Sequence, residues 1–338
     1  MLKNMEKNER YCFLAFGELA LDVIYDENAI LKEVGGVSAF NALYNLSVFG
    51  EETYAVGGVG TDLNAVKAII SLKNNAVNTD YINFVNKPTN VFYIFKPQKN
   101  LEGEEVKIGR KSPITGKSTI EWSDKIATEF PREFENRNII LIVSNFENVT
   151  KEFIKNTKSK ASNSVVSLDI TNEHIFSKYS REELWDYLKQ VDLLQCNENT
   201  FKSVAKKLGI SSPEELFSKL NLDIFTLTKG SKGANFYYRA GDKIKVISKA
   251  PEKVAPIVDS TGAGDAFHSM LLMCYHRHLL TGENIGPEYF DNTFKIANAL
   301  SRKVVQFETA RGEPYDLLKY MLNEIGAKEE KSEERDFE

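Results

Sequence analysis

The chain has 338 residues, of which 42% are hydrophobic and 27% charged, and its formal net charge is −5. This length suits one large α/β domain or two smaller ones, and the mild acidity gives no reason to expect nucleic acid or an anionic membrane as a partner. Because no apolar run approaches the roughly 20 residues that cross a bilayer, and the N-terminus lacks the apolar core of a signal peptide, we expect a cytoplasmic protein.

Short β-branched or aromatic runs alternate with helical patterns along the chain. The predicted strands are, in order, YCFLAF, TYAVGGVG, NIILIVSN, SVVSLDI, VDLLQCN and DIFTLTKG, and residues 40–48 show an amphipathic helical pattern. Near-continuous apolar strands separated by helices indicate a parallel sheet that is covered on both faces. Ligands of such sheets bind beyond the carboxyl ends of the strands, so we expect the functional site among the strand-to-helix turns.

Two regions, residues 18–34 and about 79–121, interrupt this alternation. Both combine short strand-like runs, such as TNVFYIFKPQ, with charged turns. We interpret them as inserts that form a small antiparallel sheet over one end of the main sheet, within a single α/β domain over residues 11–326. The charged end AKEEKSEERDFE, residues 327–338, is predicted to be disordered.

The stretch VDSTGAGDAFHSMLLMCY, residues 258–275, places a carboxylate at the start of an apolar helical pattern. The free N–H groups and the positive dipole end of a helix N-terminus bind anions, and Gly262 and Gly264 would let the backbone approach one closely. A carboxylate beside bound phosphate would normally be repelled. The position of Asp265 makes sense if it takes a proton from a hydroxyl that attacks the phosphate.

A simpler interpretation is that Asp265 only caps this helix, a contribution of about 1 kcal/mol. However, Thr261 or Ser260 could cap the helix instead, and the glycines serve no capping purpose. The run DSTGAGDA is also more specific than a lone glycine motif.

The run DSTGAGDA resembles the C-terminal signature of the PfkB, ribokinase-like family of sugar and nucleoside kinases. FGELALDVIYD and GGVSAFNALYNLSVFGEETYAVGGVGTD resemble the family's sugar-binding half, VDLLQCNEN its Asn-Glu segment, and TKGSKGA its nucleotide-binding turn. The four motifs follow the family order over nearly the whole chain. The resemblance implies a ribokinase-like three-layer α/β/α fold with a mostly parallel sheet and a small antiparallel β lid.

By this resemblance, Asp265 is the general base. The backbone amides of a glycine-rich turn would form the anion hole for the transferred γ-phosphoryl group, and such electrostatic stabilisation is commonly the largest catalytic contribution. The residues of that turn are Gly262, Ala263 and Gly264.

On the substrate side, the resemblance implies that Asp22 accepts hydrogen bonds from substrate hydroxyls. Gly35 and Gly36 would let the chain pass close to the sugar. Asn41 is a further substrate-binding candidate, although its spacing from Gly36 is one residue longer than in relatives. Taken singly, the aspartate also fits an ordinary strand end, and the two glycines fit a simple turn.

On the nucleotide side, the resemblance implies ATP, and Mg²⁺ as the metal cofactor. The matching nucleotide-binding residues are Asn197, Thr228, Gly230, Gly233 and Thr261. For the two glycines, a plain hairpin turn before ANFYY is the alternative. Glu198 would hold Mg²⁺ through water, and Asp259 would lie near a monovalent cation such as K⁺.

Two departures from the family pattern bear on activity. The usual Asn-x-x-Glu segment ends here in Thr200 instead of Glu. The loss of this carboxylate should weaken the binding of Mg²⁺, on which phosphoryl transfer depends. In SLDITNEH, where relatives often carry Asp-Pro-Asn followed by Arg, the arginine is missing, which leaves a role for Asp169 open.

These features predict a kinase that uses ATP to phosphorylate a hydroxymethyl group on a sugar or related polyol. The alternatives are a nucleoside kinase, and a catalytically weak relative that binds sugar or nucleotide as a sensor or assembly subunit. Exposed apolar residues on the lid would favour a homodimer formed through it. The sequence leaves open the oligomeric state, the sugar and the hydroxyl.

Overall fold

The computed structural model of the chain describes residues 10–26, 29–95, 107–113, 115, 123–144, 147–171, 178–251, 260–307 and 311–333. The strands in these ranges are β1 Tyr11–Glu18, β2 Ala20–Asp26, β3 Ala29–Gly36, β4 Thr53–Val59, β5 Asn78–Phe84, β6 Val91–Phe95, β7 Lys107–Gly109, β8 Asn138–Val143, β9 Asn163–Ile170, β10 Leu193–Asn197, β11 Ile224–Thr228, β12 Ala234–Ala240 and β13 Lys243–Lys249. The helices are α1 Ser38–Val48, α2 Leu63–Lys73, α3 Asn148–Lys160, α4 Arg181–Leu188, α5 Glu198–Leu208, α6 Pro213–Lys219, α7 Ala263–Thr281, α8 Pro287–Val304 and α9 Pro314–Glu333.

Nine strands form the large sheet, in the order β13-β12-β11-β10-β9-β8-β1-β4-β5. Every neighbouring pair from β11 to β5 is parallel, whereas β12 and β13 are antiparallel and form one edge. The six strands predicted from the sequence are β1, β4, β8, β9, β10 and β11, and the predicted helix is α1. These predictions are confirmed, because a buried parallel strand has a local apolar signature.

The large sheet separates two hydrophobic cores, as its alternating side chains require. Phe13 and Ala15 of β1 face a core that also contains residues of α1, α2, α7, α8 and α9. Leu14 and Phe16 of the same strand face the opposite core, which contains residues of α3, α4, α5 and α6. The predicted three-layer α/β/α architecture is therefore confirmed.

A second, four-stranded sheet has the order β3-β2-β6-β7. Its outer pairs, β2 with β3 and β6 with β7, are antiparallel, and its central strands β2 and β6 run parallel. The predicted small sheet is thus present, but residues 78–84 of the predicted insert form β5 in the large sheet. The reason is burial, because Val77 and Ile82 pack into a hydrophobic core.

Helix α9 extends the chain's order beyond the predicted domain end. It runs to Glu333 and so includes residues 327–333 of the charged end, while residues 334–338 lie outside the described residues. Glu and Lys are good helix formers, and they can prolong an existing helix without being buried. In the ranges that the structure describes, no helix is both long and apolar enough to cross a membrane.

Short connections join the small sheet to β1 of the large sheet and to helix α1. β1 ends at Glu18 and β2 begins at Ala20, while a single residue separates the end of β3 from the start of α1. Helix α2 packs closely against β3 at Gly35, where an added Cβ would lie 2.2 Å from the Ala68 carbonyl oxygen. The close packing of β3 on α2 therefore explains this glycine.

We expect Gly35→Ala to lower the free energy of unfolding by about 1–3 kcal/mol, because the new methyl group would overlap backbone atoms of α2. Urea unfolding of the two proteins measures the difference. Gly109→Ala in β7 is the matched control, since an added Cβ there has no heavy atom within 4 Å. Its effect should stay within about 0.5 kcal/mol, and an equal loss in both variants would contradict the packing argument.

Candidate active site

The N-terminus of α7 begins at a glycine, which has no side chain that could cap the helix. Gly262 is the N-cap residue, and its φ of 81° lies in the left-handed region that favours glycine. Among the described residues no side chain caps this terminus, and the Ala263 N–H donates to the Ser260 carbonyl oxygen at 3.3 Å. The positive end of the helix dipole is directed at the space before the helix. Asp265 lies in the first turn and is not the cap, which excludes the simpler interpretation of that residue.

The Asp265 carboxylate is buried and is held from helix α1. Asn41 Nδ2 donates a hydrogen bond of 2.8 Å to Asp265 Oδ2, and the Ser38 side chain forms a second hydrogen bond to the carboxylate. Burial raises the pKa of Asp265 above its ordinary value. The hydrogen bonds and the positive charge of Arg311 act in the opposite direction, because they favour the ionised form.

The predicted substrate-binding residues converge on the same point. A Cβ added to Gly36 would lie 2.7 Å from Asn41 Oδ1 and 3.0 Å from Asp22 Oδ2. The end of β3, the middle of β2 and the start of α1 therefore meet beside Asp265. Gly35, by contrast, faces α2 and does not join this cluster.

Arg311, which the sequence analysis did not identify, completes the cluster. Its Nε donates to Asn41 Oδ1 at 2.8 Å, and its guanidinium carbon lies 4.7 Å from the centre of the Tyr44 ring. Burial lowers the pKa of Arg311 to about 10, opposed by the nearby Tyr44, Asp22 and Asp265. The residue lies in the run TARGEP, whose only signal is an arginine in a turn-like segment.

Asp22 is buried between like and unlike charges. Burial is the largest cause that raises its pKa to about 7, and the nearby Asp265 adds to the effect. Arg311 opposes both, because its positive charge stabilises the carboxylate. Near neutral pH the Asp22 carboxyl is therefore divided between its neutral and ionised forms.

A row of buried polar side chains crosses the large sheet beneath α7. Gln195 of β10 lies in register with Asp169 of β9 on one side and Thr226 of β11 on the other. Gln195 Nε2 donates to the Gly264 carbonyl at 3.1 Å, which fixes the helix start on the sheet. Burial, and secondarily the charge of Asp265, raises the pKa of Asp169 well above its ordinary value.

The predicted nucleotide-binding residues lie at the carboxyl ends of neighbouring strands. Asn197 ends β10, Thr228 ends β11, and the two are register partners. Gly230 begins a short 3₁₀ turn that joins β11 to β12, and Thr261 directly precedes the α7 N-cap. Gly233 closes the turn, and an added Cβ there would be 1.8 Å from the Lys249 carbonyl oxygen, so packing of the β12–β13 edge explains this glycine.

The proposed metal-binding segment is at the start of α5. Asn197 Oδ1 accepts the Thr200 N–H at 2.8 Å and caps this helix, and Thr200 itself is buried. Glu198 lies in the first turn, and within the described residues no three His, Cys, Asp or Glu side chains cluster as a metal site. One carboxylate suits Mg²⁺ that is held mainly by water and phosphate oxygens. Asp259 lies outside the described residues.

Comparison with known proteins gives a consistent family. The model described as pfkB family carbohydrate kinase matches residues 14–314. A nucleoside kinase of Methanocaldococcus jannaschii is 29% identical over 122 residues, which are 36% of this chain and 37% of that protein. The matched region thus spans little more than a third of that relative.

Solved structures share the fold at low sequence identity. The crystal structure of Methanocaldococcus jannaschii nucleoside kinase, an archaeal member of the ribokinase family, has a TM-score of 0.66 at 20% identity and covers 92% of this chain and 98% of that one. A double-mutant Vibrio cholerae O395 fructokinase with fructose, ADP and potassium ion has 0.67 at 17%, covering 94% and 100%. Xylella fastidiosa fructokinase with bound ATP has 0.70 at 17%, covering 94% and 99%. These likenesses confirm the ribokinase-like fold.

The raised pKa of Asp22 predicts a specific pH dependence of stability. A carboxyl that is neutral in the folded protein and ionised in the unfolded chain makes the free energy of unfolding fall as the pH rises from about 4 to 7. We therefore expect the free energy of unfolding of Asp22→Asn, relative to that of the wild type, to rise between pH 5 and pH 8. The rise should be at least about 1.4 kcal/mol, the equivalent of one pKa unit.

Urea unfolding at the two pH values checks this gain. Asp242→Asn, which changes an exposed aspartate in the β12–β13 turn, is the control and should show no relative gain. Parallel pH profiles of the wild type and Asp22→Asn would contradict the raised pKa of Asp22.

Proposed function

Because the chain belongs to the pfkB family of carbohydrate kinases, we propose that it transfers the γ-phosphoryl group of ATP to a hydroxymethyl group of a sugar or related polyol. The observation that carries the proposal is the single cluster formed by Asp265, Asn41, Asp22 and Gly36. A base, an uncapped helix N-terminus and acceptors for sugar hydroxyls are what this reaction requires in one place.

In the proposed reaction, Asp22 accepts a hydrogen bond from a substrate hydroxyl and orients the sugar. The reacting hydroxyl oxygen attacks the γ-phosphorus, the bond to the β,γ-bridging oxygen breaks, and ADP leaves. The hydroxyl proton passes to the Asp265 carboxylate. The amides of Gly262, Ala263 and Gly264, aided by the dipole of α7, stabilise the charge on the transferred group.

The nucleotide would lie over the ends of β10 and β11. Its proposed contacts are Asn197, Thr228, Gly230, Gly233 and Thr261. Glu198 would hold Mg²⁺ through water, and the metal would neutralise phosphate charge. We retain Asp259 as the proposed residue near a monovalent cation, and potassium is the ion bound in the similar Vibrio cholerae fructokinase.

Two functions other than a sugar kinase each have an observation in their favour. The similarity to the nucleoside kinase of Methanocaldococcus jannaschii favours a nucleoside acceptor, because the same aspartate and glycine can hold a ribose. Thr200, in place of the usual carboxylate, favours a catalytically weak binding protein. A panel of sugars, polyols and nucleosides with Mg²⁺-ATP and product identification separates them, since tight binding without any product would overturn the kinase proposal.

The small sheet would act as a lid that closes over the substrate and excludes water, so that ATP is not hydrolysed. We also propose that this sheet forms a homodimer contact. Its edge strand β3 exposes Ile30 and Leu31, at 47% and 39%. Exposed apolar side chains on an edge strand are a surface that a second subunit can cover.

The proposed base gives a direct prediction. Asp265→Asn should lower kcat at least about a hundredfold while substrate binding is kept, because the amide cannot accept the proton but preserves the side-chain shape. Steady-state kinetics on the accepted substrate, with calorimetric binding, measures both effects. Asp316→Asn makes the same change in the first turn of α9, where the side chain is exposed, and should leave kcat unchanged. Near-normal turnover of Asp265→Asn would remove Asp265 as the base.

The dimer proposal predicts that the wild type sediments as a dimer and that Ile30→Lys sediments as a monomer, because a charge would enter the apolar contact. Analytical ultracentrifugation of both proteins tests this. Val246→Lys is the matched control, because Val246 is also 41% exposed on an edge strand, that of the large sheet. A monomeric wild type, or equal dissociation by both substitutions, would reject the lid contact.

A further inference from the structure

Arg311 is a buried side chain that belongs to none of the motifs from which the site was predicted. It lies three residues before the start of α9 and 270 residues from Asn41 in sequence, and it is only 3% exposed. We propose that Arg311 is a positioning residue for the general base: it fixes the Asn41 amide, which in turn holds the Asp265 carboxylate. The inference rests on the proposed phosphotransfer and adds a residue through which the base is oriented.

Arg311 determines the orientation of the Asn41 amide. Arg311 Nε donates to Asn41 Oδ1 at 2.8 Å, and Asn41 Nδ2 donates to Asp265 Oδ2 at 2.8 Å. A guanidinium has no acceptor and an ionised carboxylate has no donor. A flipped amide would therefore place donor against donor and acceptor against acceptor. The arginine thus selects the amide orientation that holds the base.

The guanidinium of Arg311 is held rigidly. Its Nη1 donates to Ser71 Oγ at 3.3 Å, and its face lies against the Tyr44 ring. Tyr44 is itself fixed, because its hydroxyl donates to the Gly312 carbonyl at 3.0 Å. Since Tyr44 lies one turn after Asn41 on α1, the same helix holds the cation and presents the amide. Arg311 is therefore a fixed reference and not a mobile surface charge.

Arg311 also affects the charge around the base. Asp22 faces Asp265 from the small sheet, Asp169 faces it from β9, and His268 follows it on α7. Burial lowers the pKa of His268 to about 3, so this ring is neutral at pH 7. Arg311 therefore supplies the positive charge that favours the ionised, proton-accepting form of Asp265. Its removal should raise the pKa of the base.

Two substitutions separate charge from geometry. Arg311→Met removes both the charge and the Nε donor, whereas Arg311→Lys keeps a charge but lacks the planar donor that selects the amide orientation. A carboxyl-carbon NMR titration of Asp265 should show a higher pKa in Arg311→Met and a value closer to wild type in Arg311→Lys. Circular dichroism confirms folding, and the lysine variant alone carries the test if the methionine variant does not fold.

Activity supplies the second measurement, with fructose and adenosine as the acceptor probes and Mg²⁺-ATP as donor. Both substitutions should lower kcat at least about tenfold with a smaller change in KM for ATP. The acidic limb of the kcat–pH profile should move to higher pH in Arg311→Met, because the base must be ionised to accept the proton. Arg239 is an arginine of β12 that stacks on Phe217, and Arg239→Met is the control. It should change neither kcat nor the acidic limb of the pH profile.

A double-mutant cycle of Arg311→Lys with Asn41→Ala completes the test, because the lysine keeps the positive charge and the cycle then measures the contact through the Asn41 amide. If Arg311 acts through the Asn41 amide, the double variant should lose little more kcat than the more damaged single variant. Additive losses, or an unchanged Asp265 titration in both Arg311 variants, would overturn the inference. A wild type inactive on every substrate would overturn the proposed function instead, because the NMR titration measures the coupling of Arg311 to Asp265 without turnover.

Discussion

The hydrogen bond from Asn41 to Asp265 joins segments 224 residues apart, and the candidate site depends on it. Burying a carboxylate is costly unless hydrogen bonds and charge compensate for the lost water. Asp265 meets this requirement because α1 begins directly after the small sheet and therefore places Ser38 and Asn41 opposite the first turn of α7. The connection between the sheets thus brings the sugar-binding candidates to the proposed base.

The architecture could be predicted because its determinants are local. An apolar run such as NIILIVSN signals a buried parallel strand wherever it packs, and the alternation of Leu14 and Phe16 with Phe13 fills two cores at once. Residues 78–84 could not be assigned in this way, because their membership of the large sheet depends on long-range burial of Val77 and Ile82. The continuation of α9 to Glu333 has no apolar pattern that would indicate it, although Glu and Lys favour helices.

The site was only partly predictable. Resemblance to a family brought out Asp22, Gly36, Asn41 and Asp265, and the structure brings these residues together. Arg311 has no local pattern, since what makes it notable is its contact with an amide 270 residues away. A glycine that matches a binding motif can also be required for packing alone. Gly35 matches the motif, yet its missing Cβ is required by the backbone of α2.

The charge balance of the site links substrate binding to protonation. Two buried carboxyls, Asp22 and Asp265, share the neighbourhood of Arg311, and the pKa values of both are raised, chiefly by burial. A hydroxyl that donates to Asp22 stabilises its ionised form, so a sugar would lower the pKa of this carboxyl when it binds. The resulting negative charge would raise the pKa of Asp265, which strengthens it as a base but makes its ionised form less populated. The positive charge of Arg311 would oppose this depletion and favour the ionised form of Asp265.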